Sequence, residues 1–484
     1  MGTMGRVVHL SAVVLALVAF SVQAEAGVTN EDGSEMKRTK YLVLDSRVIS
    51  ETKGARLALG TVVKDERNPL FGEDRPWEPR FDNMQPNVLF DAEAGLYRCW
   101  YSPFIIDERT TGTPPDKRPA TNYIAAKPNA REMGLCYAES NDGIVWEKPE
   151  LGICEFNGST ANNIVIRVPH GPGVFHDPRD PDPMRRYKTI FKHEGVAMSV
   201  AFSPDGLHWG DWVACPEIAV AGDTHNNAFW APELDKYVGI TRMWGGEPRV
   251  RQVGRTESED FLHWTQAQVA LQGLEPHLQT YAMPVFRYGG VYLGLIALFN
   301  TQADRTHVEL AWSPDTVEWH RVCPGTPLIP NGDTEGGYDW GCVYPGAYPI
   351  FLEDTIRLYY AGSNNRHTTW RNGFLCLANL RPDGFAGYEC VSADEPAVLL
   401  TECLALCGDT LRLTADVEPG GSIVVALENE EGEERVRSAP VAATCSDGAV
   451  AWRTGWDWSS VNGAQGRLRF EIDRSRLYSF GFGT

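Results

Sequence analysis

The sequence predicts an all-β fold, a five-bladed β-propeller followed by a small C-terminal β-sandwich. Three observations predict it. A Ser-x-Asp-x-x-x-Trp phrase recurs with a spacing of 55 to 63 residues, at Ser140–Trp146, Ser203–Trp209, Ser258–Trp264 and Ser313–Trp319. Each copy follows three apolar, strand-like segments. The 47 Gly, 31 Pro and 11% aromatic residues favour many short strands joined by turns. A repeat of this length is typical of a supersecondary unit that stacks on copies of itself.

The recurring phrase is predicted to be a turn. Serine and aspartate side chains accept hydrogen bonds from nearby backbone N–H groups, and the tryptophan is expected to begin the next strand and pack between units. A fifth turn at Asp383-Gly384 keeps the aspartate, while Tyr388 stands in place of the tryptophan. The repeat count is therefore five.

Each repeat is predicted to contain three consecutive antiparallel strands. The expected first strands are Pro86–Phe90, Gly173–His176, Asn227–Trp230, Met283–Arg287 and Tyr348–Leu352. The expected second strands are 95–102, 186–192, 236–242, 291–299 and 356–362, and each third strand leads into a turn. One such meander leaves both of its faces uncovered. Five meanders stacked radially bury those faces and close the exposed sheet edges.

The chain is expected to divide into four parts. Residues 1–26 are predicted to be a signal peptide, 27–81 an N-terminal extension, 82–395 the five-bladed propeller and 396–484 the β-sandwich. The last part alternates apolar and polar residues between frequent turns, which is typical of a small sandwich.

The N-terminus predicts export. Arg6 precedes an apolar run from Val7 to Phe20, and small residues lead to Ala24 and Ala26, as in a secretory signal peptide. We therefore expect a secreted or periplasmic protein without a membrane span. Eleven cysteines is an odd number, so in an exported protein at least one thiol is free or pairs between chains, and Cys403-x-x-x-Cys407 is the one close pair.

The formal charge of −20 argues against nucleic acid and anionic membranes as partners. It also disfavours a strongly polyanionic substrate, unless a local basic cleft overrides it. The expected partner is an oligo- or polysaccharide, and some of the 15 Trp can serve as platforms for sugar rings while most pack between strands. No cofactor and no metal site are predicted, because no histidine pair has metal-ligand spacing. The oligomeric state is left open.

The candidate site follows from the predicted register. Residues just before the first strand of each blade converge at one mouth of the central channel. The candidate catalytic residues are the carboxylates Asp82, Asp223 and Glu275, with Glu217 and Glu335 as alternatives for the acid. The candidates for substrate binding are Arg80, Asn83, His225, Asn226, His277, Gln279, Tyr281, Asp339 and Trp340. The second repeat offers only Asn162, Asn163 and His170 at this mouth.

Facing carboxylates among amides, imidazoles and aromatic rings suit glycoside hydrolysis. That reaction needs one carboxylic acid to protonate the leaving oxygen and a second carboxylate as nucleophile or as base for water. Crowding of carboxylates raises the pKa of one of them, which keeps an acid protonated near neutral pH.

Five repeats, an aspartate before the first strand, the S-x-D-G-x-x-W turns and a C-terminal sandwich resemble the five-bladed propeller glycoside hydrolases, the invertase/levanase and arabinanase/xylosidase groups. The resemblance implies that Asp82 acts as nucleophile or base, beside a second aspartate and a glutamate acid. The local motif departs from the invertase Asn-Asp-Pro-Asn-Gly, since this chain has Phe81-Asp82-Asn83-Met84-Gln85-Pro86-Asn87. Arg179-Asp180-Pro181 comes one strand too late for the Arg-Asp-Pro motif, so Asp223 and Glu275 are assigned by position alone.

The sequence thus predicts an exported glycosidase of unknown substrate. A different function class is a non-catalytic carbohydrate-binding propeller that has kept the channel without the acid. A sialidase-like hydrolase is less favoured, because such enzymes use three arginines and a tyrosine nucleophile, and only Arg80 stands before a predicted first strand. The sugar, the linkage, the stereochemical course and exo against endo action are left open.

Overall fold

The computed structural model describes residues 26–29, 35–124, 130–193, 197–392, 395–453 and 455–483. The predicted signal peptide lies outside these residues, apart from Ala26. In the described part, the helical elements are the α-helix Glu108–Gly112 and 3₁₀ turns at Pro115–Ala120, Pro183–Arg185, Pro216–Ile218 and Trp458–Val461. The predicted all-β class is confirmed. No helix within these ranges is long and apolar enough to cross a membrane.

Five successive antiparallel meanders follow the predicted order of strands. The first contains Asn87–Asp91, Leu96–Tyr101, Arg131–Ser140 and Ile164–Arg167, and Phe104–Asp107 also pairs with its third strand. The second contains Pro169–His176, Tyr187–His193, Met198–Ser203 and Val213–Ala214. The third contains Asn227–Ala231, Lys236–Gly245, Val250–Ser258 and Gln268–Gln272.

The fourth and fifth meanders have interrupted first strands. The fourth contains Leu278–Ala282 with Val285–Tyr288, then Val291–Asn300, Arg305–Ser313 and His320–Val322. The fifth contains Cys342–Pro345 with Ile350–Phe351, then Ile356–Ser363 and Gly373–Leu380. Their first strands begin before the predicted positions, so that Tyr281 lies within a strand rather than in the loop before it.

The outer edge of the fifth meander is completed by the N-terminal segment. Val63–Lys64 and Phe71–Gly72 both pair with Gly373–Leu380. In the first four meanders, by contrast, the outermost strand follows in sequence. The N-terminal segment therefore closes the last meander across about 300 residues of chain.

Contacts between neighbouring meanders run in a cycle. Asn87 Oδ1 accepts from the Val174 N–H at 3.1 Å, and Gly171 O accepts from the Asn226 N–H at 3.0 Å. Asn227 Oδ1 accepts from the Val285 N–H at 3.0 Å. Thr306 pairs in parallel with Cys342, and Pro86 O accepts from the Ala347 N–H at 2.9 Å, which returns the cycle to the first meander. Gly171 is required at its contact, since a Cβ there would lie 1.6 Å from Thr224 O, and its φ of +64° also favours glycine.

The four Ser-x-Asp turns share one hydrogen-bond pattern, as predicted. In the second meander, Ser203 Oγ accepts from the Gly206 N–H at 2.9 Å and Asp205 Oδ1 accepts from the His208 N–H at 2.8 Å. In the last three of these turns the indole also donates back to the turn, as that of Trp209 does to Gly206 O at 3.0 Å. These bonds satisfy backbone donors that the reversal would otherwise leave unpaired.

The C-terminal part forms one hydrogen-bonded set of eleven strands. Its two longest strands, Thr410–Glu428 and Gln465–Gly483, pair along most of their length. The remaining strands are Ala26–Thr29, Glu35–Leu42, Ile49–Lys53, Ala55–Leu59, Ala386–Cys390, Ala397–Thr401, Leu404–Ala405, Glu434–Arg437 and Cys445–Ala449. The N-terminal segment thus also contributes hydrogen-bonded strands to this sheet. No disulfide forms among the described residues, and Cys403 and Cys407 are not joined.

Candidate active site

The start of each first strand and the loop between the second and third strands lie at the same face, because successive strands of a meander are antiparallel. Asp82 comes before Asn87–Asp91, and Arg371 comes just before Gly373–Leu380. These two residues, 289 positions apart, are in direct contact. The face therefore collects two sets of side chains.

Asp82 is held by two arginines. Its Oδ1 lies 2.7 Å from Arg371 Nη2 and 3.5 Å from Arg80 Nη2, and a quarter of its side chain is exposed. Arg371 Nη2 also donates to Asn83 Oδ1 at 3.1 Å. Burial acts to raise the pKa of the Asp82 carboxyl, but the charges of Arg371 and Arg80 outweigh it and the pKa is lowered. Asp82 is therefore a carboxylate near neutral pH.

Asp223 is held in a similar way by a histidine and an arginine. Its Oδ1 lies 2.7 Å from His170 Nε2 and its Oδ2 lies 2.5 Å from Arg242 Nη2. The carboxylate is 44% exposed, whereas the Arg242 side chain is 2% exposed. Burial again opposes the charged form, but the hydrogen bond from His170 and the charge of Arg242 dominate and lower the pKa of Asp223 strongly. The second repeat thus contributes His170 to the site.

Tyr281 lies close to both carboxylates. Its hydroxyl accepts from Asn83 Nδ2 at 3.0 Å, and the Arg242 guanidinium lies 5.1 Å from its ring centroid. Burial raises the pKa of the Tyr281 hydroxyl, and Asp223 and Asp82 both raise it further. The phenol is therefore neutral and can donate a hydrogen bond.

His367 packs against the same tyrosine. The two ring centroids are 5.0 Å apart, and the Tyr344 hydroxyl is 2.6 Å from His367 Nδ1. Burial, followed by the nearby charge of Arg371, lowers the pKa of His367 to about 3. The imidazole is therefore neutral across the physiological range.

A further arginine, Arg251, lies at the start of the third strand of the third meander. Its Nη1 donates to Gln279 Oε1 at 2.7 Å, and its guanidinium lies 4.6 Å from the Trp244 ring and 5.3 Å from the Tyr281 ring. Gln279 therefore reaches the site through Arg251.

A cleft of about 330 Å³ opens beside Arg80 and Arg371. One wall is the insertion in the first meander, including Arg118, and the other carries Trp370. The Trp370 indole donates to Thr121 O at 2.7 Å, and the Arg118 guanidinium lies 5.3 Å from its ring. The cleft therefore joins an aromatic surface to the arginines that hold Asp82.

Two of the predicted substrate ligands are buried between meanders. His225 Nε2 lies 3.1 Å from Asn87 Oδ1, and burial lowers the pKa of His225 to about 4. Asn226 donates to Gly171 O at 2.9 Å and accepts from Thr241 Oγ1 at 2.7 Å. These contacts are with protein groups that join neighbouring strands.

The remaining candidates have partners other than Asp82 and Asp223. Glu275 is 62% exposed, and its carboxylate lies 3.2 Å from His277 Nδ1. Asp339 is buried against Lys64 at 2.6 Å and the Tyr360 hydroxyl at 2.8 Å, and Trp340 packs under Arg305 at 4.6 Å. Of the two alternatives for the acid, Glu217 accepts from the Trp264 N–H at 3.1 Å and Glu335 is exposed.

The site residues that sequence reasoning missed come from the ends of second and third strands and from the loops between them. They are Arg242, Trp244, Arg251, His367, Trp370 and Arg371. The predicted meander order already contained this signal, since an antiparallel strand pair returns the chain to the face where it began. A count of the arginines that stand before first strands, which finds only Arg80, therefore undercounts the arginines at the site. No cluster of metal-ligating side chains occurs in the described ranges.

No protein-family model matches the chain, and no curated protein matches it. Several solved structures are similar to it, and some are described as glycoside or glycosyl hydrolases. The protein BT0996, described in complex with RGII, has a TM-score of 0.47 at 14% identity, over 67% of this chain and 93% of its own. An N-acetylgalactosamine deacetylase from F. plautii has a TM-score of 0.44 at 15% identity, over 68% and 96%. A glycosyl hydrolase from Bacteroides ovatus has a TM-score of 0.43 at 14% identity, over 67% and 95%.

Proposed function

We propose that the protein is an exported glycoside hydrolase whose five meanders form a five-bladed β-propeller. The closed cycle of contacts between neighbouring meanders supports the propeller, because an open stack of meanders would not return from the fifth to the first. The predicted divisions at 82–395 and 396–484 belong to the same proposal. So does secretion, which rests on the sequence of the first 26 residues.

The observation that carries the enzymatic proposal is the pair Asp82 and Asp223. The chain brings these carboxylates close to one buried tyrosine from positions 141 residues apart (223 − 82). Each is kept charged by a buried arginine and each retains an exposed part. A positioned carboxylate that stays ionised suits attack on an anomeric carbon, activation of water or stabilisation of positive charge at that carbon.

The acid is proposed to be Glu275. Neither aspartate suits this role, because the pKa of both is lowered. Glu275 precedes Leu278–Ala282, the strand that carries Gln279 and Tyr281. Its exposed carboxyl is accessible to a bound glycan, and His277 is its ion-pair partner at 3.2 Å.

The first experiment is hydrolysis of a panel of oligosaccharides that includes fructans, arabinans and algal galactans. On a substrate that the parent cleaves, Asp82→Asn is expected to lower kcat by about 10²–10⁴-fold, the usual contribution of a positioned acid, base or nucleophile. Asp142→Asn, in an outer turn, is the matched control and should retain activity. If no glycan is cleaved, or if Asp82→Asn cleaves as fast as the parent, the proposal fails.

A second candidate is a non-catalytic carbohydrate-binding protein. It is favoured by one observation: the ion-pair partners of Asp82 and Asp223 in the described part of the chain are arginines and a histidine, and the proposed acid Glu275 pairs instead with His277. Glu275→Gln separates the two functions. Loss of hydrolysis with unchanged glycan binding supports the enzyme, whereas glycan binding by a parent protein that cleaves nothing supports the binder.

A further inference from the structure

The site holds more positive than negative charge. The two carboxylates Asp82 and Asp223 lie among four arginines, Arg80, Arg242, Arg251 and Arg371. The charge of Lys192 also lowers the pKa of Asp223. The chain as a whole carries a formal charge of −20. A local excess of buried guanidinium groups in such a protein is costly unless something compensates it.

The ion pairs within the site do not give every arginine a carboxylate partner. Arg371 pairs with Asp82, and Arg242 pairs with Asp223. Among the described residues, Arg251 has no carboxylate in ion-pair contact, and its hydrogen-bond acceptor is the neutral amide of Gln279.

Buried N–H groups remain without a partner. Within the described part of the chain, this holds for Nε and Nη1 of Arg242 and for Nε of Arg80, Arg251 and Arg371. Buried donors are nearly always satisfied in native proteins, by protein, water or ligand. The Arg242 guanidinium, with two such groups and a 2% exposed side chain, is the strongest case.

The arginines also repel one another. Burial, and then the neighbouring charge of Arg242, lowers the pKa of Arg251 against the opposing effects of Tyr281 and Asp223. Burial and Arg371 lower the pKa of Arg80 in the same way. An anion in the site would relieve both repulsions.

We propose that the ligand of this site carries an oxyanion, a carboxylate, sulfate or phosphate, and that Arg242 and Arg251 hold it. The proposal rests on the proposed function, since it names the class of substrate for the same site. Both guanidiniums stack on the Tyr281 and Trp244 rings, at 5.1 and 5.4 Å for Arg242 and at 5.3 and 4.6 Å for Arg251. Stacking fixes the planes of the two forks, and a fixed fork suits bidentate binding of an oxyanion.

The oxyanion has two sources, a substituent on the sugar or a free inorganic anion. The test is calorimetric titration at constant ionic strength with glucuronate against glucose, galacturonate against galactose, N-acetylneuraminate, inorganic sulfate and inorganic phosphate. We expect at least one anion to bind at least ten-fold more tightly than the neutral sugars. Tighter binding of an acidic sugar than of phosphate and sulfate indicates a substituent, and the reverse order indicates a free anion.

Arg251→Gln is the informative variant, because Arg251 holds neither carboxylate. It should weaken binding of the preferred anion by about ten- to hundred-fold, the effect of one charge-assisted bidentate contact, and leave the binding of neutral sugars unchanged. Arg251→Lys, which keeps the charge without the fork, should lose less. Arg357→Gln, whose guanidinium donates to Asp142 O at 2.6 Å in an outer turn, is the control and should bind like the parent. Retained thermal unfolding establishes that each variant is folded.

The inference is overturned if anions and neutral sugars bind equally, if none of the anions binds, or if Arg251→Gln binds them like the parent. Its failure is distinguishable from failure of the enzyme. Hydrolysis of a neutral glycan without anion binding refutes the inference alone. Anion binding that depends on Arg251, in a protein that cleaves nothing, refutes the enzyme alone.

Discussion

Asp383, in the fifth turn, offers the sharpest test of how the two parts of the molecule are joined. Its side chain is 1% exposed and accepts charge-assisted hydrogen bonds from four donor groups. The donors are Lys40 Nζ at 3.0 Å, the Tyr288 hydroxyl at 2.5 Å, Thr414 Oγ1 at 2.7 Å and Ser479 Oγ at 2.7 Å. They come from the N-terminal segment, the fourth meander and the two longest C-terminal strands.

We expect Asp383→Ala to lower the free energy of unfolding by about 4 kcal/mol. Leaving one buried donor unsatisfied costs about 1–3 kcal/mol, and more where a charge is involved. Breaking a buried ion pair by removing one partner costs about 3–5 kcal/mol. The four donors share one acceptor, so their separate costs do not add, and the ion-pair range sets the total.

The assay is urea unfolding followed by tryptophan fluorescence and by far-UV circular dichroism. Asp315→Ala is the matched control, because Asp315 occupies the equivalent position of the fourth turn but is exposed. Its Oδ1 accepts from the Val317 and Glu318 N–H groups, each at 2.8 Å, so its loss should cost about 1 kcal/mol, like the loss of a helix cap. Equal destabilisation by the two variants would refute the reasoning.

The pH dependence follows from the same contacts. Burial opposes the charged form, but Lys40 and the hydroxyl donors prevail, so the pKa of Asp383 is lowered in the folded protein. A carboxyl with a depressed folded pKa stabilises the protein above its unfolded pKa, about 4, and loses that contribution as the pH falls through the folded value. The difference in stability between the parent and Asp383→Asn should therefore shrink below about pH 4. A difference that stays constant down to pH 2 would contradict this account.

Three further predictions concern the cleft and the N-terminal segment. Trp370→Ala should raise KM for a cleaved glycan by about ten-fold with little change in kcat, because the indole lines the cleft beside the two arginines that hold Asp82. The control is Trp209→Ala, in an outer turn, which should leave KM unchanged. Steady-state kinetics of both variants test this. Phe71→Ala should lower the free energy of unfolding in urea by about 2–3 kcal/mol, because this ring belongs to the strand that closes the fifth meander and packs against the aromatic core. A decrease below about 0.5 kcal/mol would mean that this closure contributes little to stability. Lys148→Met should lower the free energy of unfolding by about 3–5 kcal/mol in the same assay, because it leaves the buried Glu78 carboxyl, 2.7 Å from Lys148 Nζ, without its cation. Adding Glu78→Gln to this variant should restore part of the lost stability.

The strands could be predicted from the sequence because their signal is local. Segments such as 236–242 and 291–299 alternate or run apolar between turn residues, and each has a strand at that position in the structure. The Ser-x-Asp turns set the register for a similar reason, since their hydrogen bonds span only three residues. The closing strands Val63–Lys64 and Phe71–Gly72 are two residues each, which is too short to show a period.

The site was only partly predictable, because its contacts are long-range. Strand order makes Asp82 and Asp223 candidates, but it does not indicate their partners Arg371 and Arg242, which lie near the junctions of second and third strands. Asp339 precedes a first strand, as predicted, yet its side chain turns away to Lys64, a residue of the N-terminal segment. Position along a repeat determines which face a loop reaches, whereas the direction of a side chain depends on partners supplied from elsewhere.

The electrostatics of the site limit the chemistry that it can support. The arginines that lower the pKa of Asp82 and Asp223 make both carboxylates better suited to remain charged than to donate a proton. The same arginines have buried N–H groups without a partner. A bound anion would compete with the carboxylates for these arginines and would weaken the ion pairs that hold Asp82 and Asp223. The pKa of Asp223 should then rise when such a ligand binds, because Arg242 is shared between the carboxylate and the ligand. An infrared carboxylate titration with and without the anion would detect this shift, and an unchanged pKa of Asp223 would contradict sharing of Arg242 between the carboxylate and the ligand.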